Sequence, residues 1–305
     1  MADQAERLRR LVRERAGTAV IAPPLPARDR TAAAHALLLT SGKGGVGTSN
    51  LALNLAIALG ELGRKVVLVD ADLGLANIDL LCGLNPARDL GDVLSGDARL
   101  ASAVVEGPGG ITILPGAHGM RTLSEVLGDG PARLAAELAS LERGADFLIV
   151  DAGSGLGPGV ATLAAAADEV VVVTTPEPTS VADAHAAIGR LRRVPGVRLR
   201  AVVNQARSAS EAHDVLDRLT ASSRQFLGAV VTPLGHVRFD PHVPAAVRGR
   251  TPFLHTAPNG LAARGVRRLA RDLAFERDHG RDPRGRRPGF FASLAARWAL
   301  GRAAR

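Results

Sequence analysis

Ser41-Gly42-Lys43-Gly44-Gly45-Val46-Gly47-Thr48-Ser49 sits between an apolar run, Ala36 to Thr40, and a helical stretch, Leu51 to Leu62. Gly42, Gly47 and Ser49 fit the spacing G-x-x-x-x-G-x-[ST], and the order strand, glycine loop, helix is the context in which that spacing binds phosphate. Glycines let main-chain N–H groups turn inward around an anion, and the helix that follows adds its positive N-terminal dipole. Gly42, Lys43, Gly44, Gly45, Val46, Gly47, Thr48 and Ser49 are therefore the expected phosphate-binding set, with the Ser49 hydroxyl placed to ligate Mg²⁺. The lysine that ordinarily precedes the Ser/Thr is absent, and Thr48 stands there. Losing a charge-assisted contact costs about 1.5–3 kcal/mol, or roughly 10–150-fold in affinity or rate. Backbone and Mg²⁺ can still hold a nucleotide, but turnover is expected to be weak.

Outward from the loop, apolar runs alternate with helical stretches. Lys65 to Asp70, Ile111 to Leu114, Phe147 to Asp151, Val170 to Thr175, Arg200 to Asn204 and Leu227 to Val231 read as strands. They lack polar alternation, as expected of strands buried on both faces. The pattern predicts an α/β fold, a doubly wound and mostly parallel sheet with helices on both faces, closing with a helix from about Leu261 to Glu276. Residues 1–30 form a separate segment: a short helix carrying Ala5, Leu8, Leu11 and Val12 on one side, then a linker stiffened by Pro23, Pro24 and Pro26. The expected division is thus 1–30, a nucleotide-binding domain at 31–279, and a basic linker with a helical tail at 280–305.

The 305 residues are 46% hydrophobic but only 3% aromatic, so Val, Leu, Ile and Ala must build the core. The chain shows neither an apolar run of the roughly 20 residues a membrane span needs nor a signal-peptide pattern. The single cysteine, Cys82, fits a reducing cytoplasm. The net charge is +8, and Lys43 and Lys65 are the only lysines. A basic balance suits nucleic acid, anionic membrane and nucleotide phosphates equally.

Two further stretches end strands in carboxylates. Asp70-Ala71-Asp72-Leu73-Gly74-Leu75-Ala76-Asn77 lies where the second strand ends, the edge at which open α/β sheets bind ligands. Phe147-Leu148-Ile149-Val150-Asp151 has the form of a Walker B strand, whose aspartate supports Mg²⁺. Ser49, Asp70 and Asp151 are the expected metal-binding oxygens. Gly153, Gly155, Gly157 and Gly159 follow as a candidate γ-phosphate switch.

Ser41 to Gly47 resembles the deviant phosphate loop of the MinD/ParA family. The resemblance implies an ATP-dependent homodimer in which Lys43 reaches the partner's phosphates. It further implies that Asp72 positions the attacking water with help from Asn77, and that Asn204 hydrogen-bonds adenine. Asp72 to Asp79, and Ala167 to Val170 continuing through Thr174-Thr175-Pro176-Glu177-Pro178-Thr179-Ser180, are similar to the flagellar-regulator branch, FlhG, FleN or YlxH. The opening Asp3-Gln4-Ala5-x-x-Leu8-Arg9 resembles the segment with which that branch stimulates the GTPase FlhF, implying such a partner for residues 3–12. Some relatives carry an iron–sulfur cluster on paired cysteines, a set that Cys82 alone does not supply.

On a helical wheel Phe290, Phe291, Leu294 and Trp298 fall within about 100°, preceded by Arg284, Arg286 and Arg287. This resembles the membrane-targeting helix of MinD-like proteins and implies peripheral attachment to the inner face of the cell membrane through residues 290–305. Docking of the same face on the chain's own domain competes with it. Two other functions compete with the dimeric switch: a scaffold that binds nucleotide without turning it over, favoured by Thr48, and a DNA-partitioning ATPase of ParA type, favoured by the arginine excess.

Overall fold

The computed structural model describes residues 33–72, 76–117, 132–155, 157–279 and 288–303. At its centre lies an eight-stranded sheet. In chain order the strands are β1 (His35–Ser41), β2 (Val66–Asp70), β3 (Val105–Glu106), β4 (Thr112–Leu114), β5 (Phe147–Ser154), β6 (Glu169–Thr174), β7 (Leu199–Ala206) and β8 (Val231–Arg238). They lie side by side as β3-β4-β2-β5-β1-β6-β7-β8. Every pairing is parallel except that of β3 with β4. The central strands are leucine- and valine-rich and fully buried, because helices cover both faces.

One face is covered by α1 (Thr48–Glu61), α2 (Ile78–Cys82), α9 (His242–Arg248), α10 (Phe253–Thr256) and α11 (Leu261–His279). The other carries α3 (Leu90–Ser95), α4 (Leu100–Ala103), α5 (Ala132–Glu142), α6 (Pro158–Ala166), α7 (Pro178–Leu191), α8 (Ala209–Leu227) and α12 (Phe290–Ala303). The predicted doubly wound fold is present. α6 and α7 start with proline in the first turn, where its missing N–H costs nothing. In α1 the run from Leu51 to Leu59 is buried throughout, the polar Asn54 included, which is why it is nearly all Ala and Leu rather than amphipathic.

One predicted strand is displaced. Leu227 to Val231 was expected to be extended, but Leu227 is the last residue of α8 and Gly228, at φ 61°, caps it in the left-handed conformation. The strand begins at Val231 and runs through Pro233 and Gly235 to Arg238. Pro233 is tolerated because β8 is an edge strand.

The C-terminal helix forms as expected, but its apolar face is not open. Phe290, Phe291 and Leu294 are buried against α5 and α6. The buried Glu142 carboxylate accepts the main-chain N–H groups of Phe290 at 2.5 Å and Phe291 at 3.2 Å, capping the helix. Burial pushes that carboxyl up while the two N–H bonds pull it back. The face expected to meet a membrane is therefore held inside the chain here. The segment at 3–12, Arg284, Arg286, Arg287 and the Trp298 side chain lie outside the described residues. No described helix is long and apolar enough to cross a membrane.

If α12 is docked in solution, Phe291→Ala should lower the unfolding free energy by about 3–5 kcal/mol, the cost of emptying a buried phenylalanine site. Urea denaturation reads this. A loss below about 1 kcal/mol would mean the helix is free in solvent.

Candidate functional site

The loop between β1 and α1 occupies the C-terminal edge of the sheet, as its sequence requires. Gly47 sits at φ 87°, a conformation open to glycine at low cost, and a Cβ there would lie 2.6 Å from the Asn204 amide nitrogen. Gly47 is the N-cap of α1, and no side chain caps that end. The first N–H groups of α1 are thus left for an outside acceptor, the arrangement that makes a helix start an anion site. Thr48 opens the helix and is only 6% exposed.

Across the loop stand the carboxylates. The register of β2 and β5 sets Asp70 opposite Asp151, and both are buried. Asp70 Oδ1 accepts the Asp72 N–H at 3.1 Å, and Oδ2 accepts those of Asn77 and Ile78 at 2.9 and 3.1 Å. Burial, then the charge of Asp151, raises the Asp70 carboxyl to about 7 against those three donors. Burial likewise raises Asp151 to about 6, opposed by the Ser49 hydroxyl and by the Gly153 N–H, 3.0 Å from Oδ1. Asp151 Oδ2 is buried with no hydrogen-bond partner among the described residues. A buried carboxylate oxygen without a partner, beside a serine hydroxyl and a second carboxylate, fits Mg²⁺. Among the described residues no cluster of three or more His, Cys, Asp or Glu could hold a metal by itself.

Asp72 is half-buried at the same edge, against Gly153. Gly153 has φ 62°, and a Cβ on it would come within 1.9 Å of an Asp72 carboxylate oxygen. Only glycine lets the strand carrying Asp151 pass so close to Asp72. Asn77 is exposed and held through its main-chain N–H on Asp70. Residues 73–75 between them lie outside the described residues.

The Lys43 ammonium lies 2.9 Å from Glu177 and 3.2 Å from the Thr179 hydroxyl at the start of α7. Both charges are well exposed, so the bridge is weak and easily exchanged for a stronger partner. Asn204 donates to the Val46 carbonyl at 2.8 Å and accepts the Gln205 N–H at 3.0 Å. It ties β7 to the loop. Its neighbour Gln205 takes a positive φ of 58°.

Lys43, Ser49, Asp70, Asp72, Asp151 and Asn204 thus converge on one edge. Gly153, read from the sequence as part of a candidate γ-phosphate switch, lies there too, and Glu177 and Thr179 join it without having been assigned roles from sequence. Glu177 and Thr179 were visible as the residues that open a helix directly after a strand end.

A family model described as ParA, NUBPL iron-transfer P-loop NTPase, matches residues 32–95. The antiactivator FleN of Pseudomonas aeruginosa is 37% identical over 238 residues, 78% of this chain and 85% of that protein. The flagellum site-determining protein YlxH of Helicobacter pylori is 30% identical over 235 residues, 77% of this chain and 80% of that one. Among solved structures, the septum site-determining protein MinD of Pyrococcus horikoshii, complexed with Mg-ADP, superposes with a TM-score of 0.63. It is 29% identical, and the match covers 79% of this chain and 96% of that one.

Asp70 titrates near 7 when folded and free of metal, against 3.8 for the free side chain. The folded chain therefore binds more protons between those values, and stability falls as pH rises through them. Asp70→Asn should gain on wild type by on the order of 3 kcal/mol between pH 4 and pH 8 in metal-free buffer. Parallel urea-stability profiles for the two proteins would place Asp70 in contact with water.

Proposed function

The chain belongs to the MinD/ParA family of P-loop NTPases, and on that premise we propose that it is an ATP-driven dimeric switch of the FleN/YlxH kind, controlling flagellar number and placement. The observation that carries the reading is the uncapped start of α1 facing Asp151 Oδ2, a donor array for phosphates beside a carboxylate oxygen that lacks a partner. Triphosphate lies on the N–H groups of the 43–49 loop. Ser49, Asp70 and Asp151 would hold Mg²⁺, which would neutralise phosphate charge. Asp72 orients a water toward the γ-phosphorus, the bond to the β–γ bridging oxygen breaks, and ADP and phosphate leave. Gly153, joined to both Asp151 and Asp72, is placed to report loss of the γ-phosphate.

Lys43 is the only lysine at the phosphates. It leaves Glu177 and Thr179 and crosses to the partner's nucleotide, a stronger charge-assisted contact than an exposed carboxylate provides. Thr48 makes hydrolysis slow. Membrane residence then requires α12 to leave α5 and α6, exposing Phe290, Phe291 and Leu294. Two tails in a dimer bind a bilayer far better than one, through effective concentration. The segment 3–12 is the proposed contact for an FlhF-like GTPase. A second reading, a scaffold that binds nucleotide without turnover, is favoured by Thr48 alone.

Phosphate release from purified protein with Mg-ATP separates the two. The switch reading expects slow turnover, abolished by Asp72→Ala and raised roughly 10–150-fold by Thr48→Lys. Lys43→Ala should leave nucleotide binding largely intact while abolishing the ATP-dependent dimer seen by light scattering. Binding without turnover in wild type would establish the scaffold. A dimer unaffected by Lys43→Ala would remove the crossing lysine.

A further inference from the structure

On the face of the sheet opposite α12, helix α11 carries Arg264, Arg268, Arg271 and Phe275 at spacings of four, three and four, a single stripe along one side. The three arginines are exposed and have no carboxylate partner among the described residues. Phe275 is 63% exposed. Between this stripe and α1 lies a hollow of about 360 Å³, floored by Ala58 and Leu62 and walled by arginine side chains. Arg267 is fixed in the wall by Glu61, at 2.7 and 2.9 Å. A second hollow of about 260 Å³ adjoins it on the β8 side, sharing Arg264 and Arg268 and adding His236 and Arg238. Arg238 gives one N–H to the Arg207 carbonyl, while its Nε is buried without a partner among the described residues. Burial first, then the charges of His213, Arg268 and Arg238, push His236 below the usual histidine range.

We propose that the groove between α1 and α11 is a docking site for an acidic amphipathic helix of a partner protein. Leu62, 43% exposed on the floor, and Phe275 at the end of the stripe demand apolar side chains from whatever sits there. A sugar–phosphate backbone has none to offer. A concave surface whose cations stand in its walls does not fit a flat bilayer. A helix with leucines along one face and glutamates beside them satisfies floor and walls together, and arginine-rimmed apolar centres are the usual anatomy of such interfaces. From Arg264 to Phe275 the stripe runs about 16 Å, some three turns of a docked helix. Neither the nucleotide site nor α12 is part of this surface, so the proposal stands apart from the switch reading.

The test uses the full chain and a fluorescein-labelled synthetic helix of about 20 residues, with leucines at helical spacing flanked by glutamates, read by anisotropy near physiological salt. Arg264→Glu, Arg268→Glu and Arg271→Glu together should weaken binding at least about tenfold. Arg192→Glu, Arg193→Glu and Arg218→Glu together change net charge equally on the other face and should weaken it less than about twofold. Leu62→Ser should weaken the peptide several-fold and leave any binding of a DNA duplex unchanged. Circular dichroism and Mg-ATP affinity measured on each variant confirm that the fold and the nucleotide site are intact. Equal losses from the two triple variants would reduce the effect to net charge. Groove-dependent binding of the duplex that ignores Leu62 would make this a nucleic-acid surface. Failure of the peptide to bind at all would overturn the proposal.

Discussion

Two carboxylates buried side by side under the open end of a helix set the terms for the rest of this structure. β2 and β5 bring Asp70 and Asp151 into register, and the loop of residues 43–49 lies over them. Each carboxyl is pushed toward neutrality by burial, and Asp70 further by its neighbour's charge. The stable occupant of such a place carries both signs: cation for the aspartates, anion for the helix. Magnesium with a triphosphate meets both demands, and neither meets them alone.

The absent lysine alters this balance. With Thr48 at the start of α1, the only ammonium near the phosphates is that of Lys43, and in the isolated chain it rests on Glu177 and Thr179. A lysine at position 48 would serve its own subunit's nucleotide, whereas Lys43 can serve a neighbour's. In the proposed dimer, charge neutralisation would therefore lean more heavily on the metal and on assembly, and nucleotide retention would be coupled to dimer formation more tightly than in a loop carrying both lysines.

Much of this is legible in the sequence. The glycine spacing, the two strands ending in aspartate and the unbroken apolar runs gave the sheet, its buried strands and the convergence of Lys43, Ser49, Asp70, Asp72 and Asp151, because each rests on local geometry. What was missed depends on distant partners. The start of β8 was misread because Gly228 stops a helix inside an apolar run, and Pro233 disguises an edge strand. The apolar face of α12 was legible but not its destination. Phe290, Phe291 and Leu294 suit lipid or protein equally, and the Glu142 carboxylate that caps the docked helix stands well over a hundred residues away in the chain. Asn204 could be placed at the site, but its bond to Val46 could not be read from a single sequence.

The central claim is that main-chain amides around residues 43–49 and a magnesium ion grip a triphosphate without the customary cation. Isothermal calorimetry of the full chain with ATP in the presence and absence of Mg²⁺ tests it most directly. The account predicts one nucleotide per chain, bound at micromolar to sub-millimolar strength with Mg²⁺ and not detectably without it. No heat of association at millimolar Mg-ATP, or affinity indifferent to the metal, would contradict it.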